Sequence, residues 1–175
     1  SSDLAFTVFF SSCSDENALE AEINRIPVTI DIDRFDLKFY NATPEEYIEL
    51  KKSYPYLFPN QFPDSIWVKR QRDSIQTLLH GEIKKVYPSL DPVKEELVSL
   101  YKHIKYYFPQ IQDPHVVTVV NNVDYQSKTI FTDSLLIISL DTYLGSKNPL
   151  YEGIPKYIVQ DMEFPYMTSH IIDEL

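Results

Sequence analysis

Cys13 carries the clearest chemistry in the sequence. It is the one cysteine of the chain, and it follows the apolar run Leu4-Ala5-Phe6-Thr7-Val8-Phe9-Phe10 and the small pair Ser11-Ser12. A run this short cannot span a bilayer, which takes about 20 apolar residues, but it has the size of a signal-peptide hydrophobic region of about 7–15. Small-small-Cys at its end is the lipobox pattern of bacterial lipoproteins, in which the thiol is acylated and the cysteine becomes the new N-terminus. The polar stretch Ser14-Asp15-Glu16-Asn17 suits an exposed tether behind such an anchor. The competing reading is an N-terminal strand holding a buried free thiol, a common fate of cysteine.

The other reactive side chains do not assemble into a known site. No two of His80, His103, His115 and His170 have the spacing that sets two imidazoles on one helix face for zinc. His80 and His103 sit beside lysines and acids and read as solvated. His170 and Glu174 read as a surface pair one helical turn apart. Asp31 and Asp33 share a strand face, but no glycine completes a calcium loop there, and a solvated face with an Arg34 salt bridge is expected. Lys69-Arg70-Gln71-Arg72 reads as a solvated helix face. Asp124-Tyr125 and Asp133-Ser134 read as turns. No catalytic residue, metal ligand or cofactor site is assigned. The remaining signal is aromatic: Tyr54, Tyr56, Phe58, Phe62 and Trp67 lie in or beside a proline-rich stretch and form a candidate interaction surface.

Elements must position these residues. Pro27 to Phe35 alternates as a strand. Thr43-Pro44-Glu45-Glu46 is a capping box opening a helix. Prolines deny regular structure to Tyr54-Pro63. Asp64 to Val86 reads as one helix. Asp91-Pro92 opens another, with Val93, Leu97, Leu100, Ile104 and Phe108 on its apolar face. The β-branched runs at 116–120, 129–132 and 135–140 then predict an antiparallel meander. Ile154-Pro155 opens a short helix through about Asp161, and the last residues read as a helix that the chain leaves unfinished. The fold class is α+β, with helices packed on a small antiparallel sheet.

Composition bounds the function. With 175 residues and 43% hydrophobic content the chain can bury a core and is not disordered. A net charge of −10 excludes a dedicated nucleic-acid binder, which needs a basic face. Three glycines supply no phosphate-cradling loop, and one cysteine permits no intramolecular disulfide or zinc knuckle.

Several long stretches resemble the gliding-motility lipoprotein GldB family. They are Ile32-Asp33-Arg34-Phe35-Asp36 with Phe39-Tyr40, Tyr54 through Trp67, and Lys102-His103-Ile104-Lys105-Tyr106-Tyr107-Phe108-Pro109. Val123-Asp124-Tyr125, Leu140 through Gly145 and Tyr151 through Ile158 complete the series, in order from about residue 25 onward. The resemblance implies a non-catalytic envelope lipoprotein, anchored to the membrane by lipid on Cys13. It would support gliding and the associated secretion of surface adhesins, with other proteins of that machinery as partners. It also implies a zincin-like architecture related to metallopeptidases but lacking H-E-x-x-H, since Ile171 follows His170. The expected organisation is a truncated signal peptide at 1–13, a tether at 14–24 and a GldB-like domain at 25–175, in a fragment of a longer protein. Two alternatives stand beside this: a zinc peptidase with ligands beyond Leu175, and an envelope module that binds glycan or peptide through the Tyr54–Phe62 loop.

Overall fold

The structure, a computed structural model, describes residues 12–132 and 134–175, with side chains from residue 16 onward. The apolar run before Cys13, the Cys13 side chain and Asp133 lie outside the described residues. Residues 14–24, expected as a tether, fall within helix α1 (Ser12–Ile23) and the turn after it, and Ile23 is buried.

Four strands form one sheet: β1 (Ile32–Asp33), β2 (His115–Val119), β3 (Thr129–Thr132) and β4 (Leu135–Ser139), in the order β1-β2-β4-β3. β1 pairs with β2 and β2 with β4 in parallel, and only β3 runs antiparallel, against β4. This corrects the expected antiparallel sheet and its meander. The reason is burial. Val116, Val117 and Thr118 are all enclosed, so β2 is covered on both faces and takes a central place. β3 exposes Ile130 and takes the edge. The alternating segment Pro27–Phe35 yields only the two-residue β1, because just Ile32 and Asp33 find partners, in Val116 and Val117. Nothing in this arrangement supports the zincin-like expectation.

The helices are α2 (Phe35–Asn41), α3 (Pro44–Ser53), α4 (Asp64–Gln71), α5 (Ser74–Val86), α6 (Asp91–Tyr107), α7 (Lys156–Val159) and α8 (Met167–Asp173). α2 was not anticipated. The single helix expected over 64–86 is two. Asp73 accepts from the amides of Ile75 at 2.8 Å and Gln76 at 3.3 Å, and so begins a new helix. α6 buries Val93, Leu97 and Ile104 as expected and adds Tyr101, while Phe108 is exposed. At α3 the capping box forms: Thr43 Oγ1 accepts from the Glu46 amide at 3.3 Å, and Glu46 Oε2 accepts from the Thr43 amide at 2.9 Å. Thr43→Ala should lower stability by about 1 kcal/mol in urea denaturation, with unchanged slope.

The sheet separates two apolar layers. Val116, Leu136 and Ile138 pack with Leu79 and Ile83 of α5, Leu97 and Tyr101 of α6, and Met167 and Ile171 of α8. On the opposite face Val117, with Val119 and Leu135, meets an aromatic cluster of Phe35, Tyr47, Tyr54, Phe58 and Trp67.

Candidate functional site

The residues that open α2 are held by a knot of charges. Arg34 grips Asp36 with two hydrogen bonds, Nε to Oδ1 at 2.9 Å and Nη2 to Oδ2 at 2.7 Å. Thr118 Oγ1 of β2 donates to the same carboxylate, whose side chain is fully enclosed. Asp33 turns the other way, to Lys38 Nζ at 2.7 Å and to the Tyr54 hydroxyl. Burial opposes ionisation of Asp33, but the hydrogen bonds from Lys38 and Tyr54 outweigh it and hold the carboxyl below its ordinary value. Asp31 points to solvent and meets Lys94 at 3.5 Å, so the two acids are not a cation site.

The knot fixes one wall of a pocket of about 270 Å³. That wall is aromatic: Phe39 and Tyr40 of α2, Tyr56 and Phe58 in and just after a short 3-10 helix (Pro55–Leu57), and Trp67 of α4. Phe58 is its keystone, edge-on to Tyr47 at 5.5 Å and to Trp67 at 5.2 Å between ring centroids. Val119, Ile130 and Ile137 supply the sheet wall. The pocket opens at the carboxyl ends of the parallel strands β2 and β4, where open sheets containing parallel strands commonly bind ligands.

Polar groups line it sparingly. His80 is 4% exposed and stacks on Tyr40, with centroids 3.7 Å apart and planes 13° apart. Burial lowers its pKa, and Asp36 only partly offsets this, so the ring is neutral at pH 7. His80 Nε2 and Trp67 Nε1 are buried and have no hydrogen-bond partner among the described residues. Arg70 gives one hydrogen bond, from Nη2 to the Val120 carbonyl at 2.9 Å, and has no ion pair among the described residues. Burial lowers the Arg70 pKa, with Asp141 as the opposing influence. Gln71 Nε2 donates to the carbonyls of Phe39 at 2.8 Å and Ala42 at 2.7 Å, closing the end of α2.

The rim at residues 121–123 is strained. Asn122 and Val123 have φ of 56° and 55°, a region costly for a β-branched side chain. Asp141, fully buried, imposes the turn: it accepts from the Asn121 amide at 3.0 Å and the Val123 amide at 2.6 Å. Burial pushes its carboxyl up, and the amide donors pull it part of the way back. Gln76 of α5 donates to the Asn122 side chain.

The five aromatic residues proposed as an interaction surface divide. Tyr54 and Phe58 are 7% and 3% exposed and belong to the packed layer, while Tyr56 and Phe62 are 43% and 42% exposed. Tyr56, Phe58 and Trp67 meet in the pocket; Phe62 touches the Trp67 ring, and Tyr54 serves the Asp33 knot. Two histidine readings are corrected. His80 is buried, not solvated. His170 turns away from Glu174: its Nδ1 meets the Tyr143 hydroxyl at 2.9 Å and its Nε2 meets Asp161 at 3.2 Å, tying α8 to the segments that follow β4 and α7. Arg70, expected on a solvated helix face, instead lines the pocket, and Asp141 escaped sequence reasoning. The available signals were a charge closing the apolar run 135–140, and an arginine one turn after Trp67.

Among the described residues, no group of three or more His, Cys, Asp or Glu could hold a metal ion, and no helix is long and apolar enough to cross a membrane. Comparison with curated proteins and with solved structures gave no match. A family model described as gliding motility protein GldB matches residues 16–175, which contain the knot, the pocket and its strained rim. The chain belongs to the GldB family of gliding motility proteins.

Proposed function

We propose that this chain acts as a non-catalytic, lipid-anchored component of the bacterial cell envelope that supports gliding and the associated secretion of surface adhesins. The supporting observation is the family match, which begins at residue 16, three residues after Cys13 of the lipobox-like pattern. Acyl chains anchor by burying methylenes, about 0.8 kcal/mol each, so a charge of −10 is no obstacle to this mode of attachment. The other proteins of the gliding machinery are its expected partners.

Cys13→Ala tests the anchor in the natural host. The variant should lose palmitate labelling, leave the membrane fraction and abolish gliding. Unchanged labelling and fractionation would remove the anchor from the proposal. Metal analysis of the purified full-length protein tests the non-catalytic role, since stoichiometric zinc with peptide hydrolysis would replace it by the peptidase reading.

A further inference from the structure

The structure assigns the pocket between the aromatic wall and the β3–β4 side of the sheet as a binding site for a small amphipathic carboxylate: one anionic head on an apolar body. This goes beyond the envelope role and does not depend on the lipid anchor.

Three observations carry it. The first is an uncompensated cation. Arg70 lines the pocket with one of its five N–H donors engaged, and no carboxylate lies within ion-pair distance among the described residues. Asp141, the carboxylate whose charge acts on it, is committed to the amides of Asn121 and Val123. Arg70 is half-buried, and a partly desolvated cation gains from a paired anion, which the pocket can admit beside it.

The second is a shortage of acceptors. Trp67 Nε1 can only donate, and it is buried without a partner among the described residues; His80, also in the lining, has its Nε2 equally unpartnered there. Buried polar groups are nearly always satisfied, so the Trp67 N–H calls for an acceptor oxygen from a ligand, and His80 Nε2 takes either role according to its tautomer. The third is the rest of the lining, which is mostly aromatic and aliphatic, with neutral Gln71, Gln76, Asn121 and Ser139, an Asp36 already paired with Arg34, and no second cation to meet a second negative charge. One cation matches a monoanion. A phosphate monoester would leave excess negative charge in a low-dielectric site, on a chain already at −10. The volume of about 270 Å³ is near the lower end of the usual range for ligand pockets, roughly 300–1,000 Å³, and limits the body to a short acyl chain or a single ring.

Trp67 is the only tryptophan of the chain and sits in the lining, so its fluorescence reports occupancy directly. Octanoate and 4-phenylbutyrate, titrated below micellar concentrations into the purified chain, should each shift its emission saturably. The preference between the two reads the shape of the body. 1-Octanol and 4-phenylbutanol should bind at least tenfold more weakly. Arg70→Gln should weaken the carboxylates at least tenfold and leave the alcohols unchanged. Ile130→Glu guards against a folding defect in that variant. Ile130 is 44% exposed, so the substitution should be tolerated, and its carboxylate in the lining should repel the acids. Equal binding of acids and alcohols would overturn the assignment. So would the absence of any saturable change at Trp67, or a folded Arg70→Gln or Ile130→Glu chain that binds octanoate as the parent does.

Discussion

Arg34→Ala should destabilise the protein by about 3–5 kcal/mol, the range measured when one partner of a buried ion pair is removed. The Asp36 carboxylate would remain fully enclosed with only the Thr118 hydroxyl to satisfy it. Arg34 also reaches the Tyr87 carbonyl at 3.4 Å, so the variant loosens the end of α5 as well. The check is a urea titration of both single variants, Arg34→Ala and Asp36→Asn, and of the double variant. The double variant should recover much of the loss, because it removes the stranded charge rather than the contact. If the two single losses simply add, the pair is not coupled and the account is wrong. Loss of the knot should also disorder the aromatic wall, since Phe35 lies between Arg34 and Asp36. Trp67 emission should therefore move toward the red in native buffer, before the unfolding transition.

Asp141→Ala should cost about 3 kcal/mol or more. The amides of Asn121 and Val123 would each lose their acceptor, at about 1–3 kcal/mol per buried unsatisfied group. The positive φ angles at Asn122 and Val123 would then have nothing to impose them, and the rim would relax. Asp141→Asn retains one acceptor oxygen and should recover about half of the loss. Thermal melts of the three proteins give the order parent, Asn, Ala. Hydrogen exchange at the Val123 amide should rise in the Ala variant ahead of global unfolding. An Asn variant as unstable as the Ala one would mean that the charge, not the hydrogen bonds, holds the turn.

The two largest expected effects thus fall on an arginine and an aspartate of different visibility in the sequence. Arg34 lies in the Ile32–Asp36 stretch that carries the family resemblance, and an Arg34 salt bridge was expected. What could not be read was its depth: the pair seals the junction of β1, α2 and β2 rather than decorating a strand. Asp141 follows an apolar run and looks like the start of a loop. Its role depends on the backbone amides of residues 121 and 123, brought to it only when β2 and β4 lie side by side.

The sequence by itself determined the local and the additive. Helix α6 with its four-and-three spacing, the capping box at Thr43 and the family resemblance follow from neighbours within a turn or from runs of residue types, whereas the stretch Tyr54–Pro63, expected to be irregular throughout, holds a short 3-10 helix at Pro55–Leu57. It misread what depends on distant partners. Parallel pairing of β2 with β4 rather than a meander reflects which strand is buried on both faces, a property of the whole core and not of the strand. The split between α4 and α5 came from Asp73 winning two amides that a continuous helix would have bonded internally. The pocket was least legible of all. Its wall residues come from α2, the proline-rich stretch, α4, α5 and the sheet, and Arg70, read as solvated, turns inward because its carbonyl partner at Val120 lies at the end of β2. Periodicity reports which side of an element is apolar. Only tertiary packing decides which charges that apolar side encloses, because desolvation is set by everything around a group and not by its place in the chain.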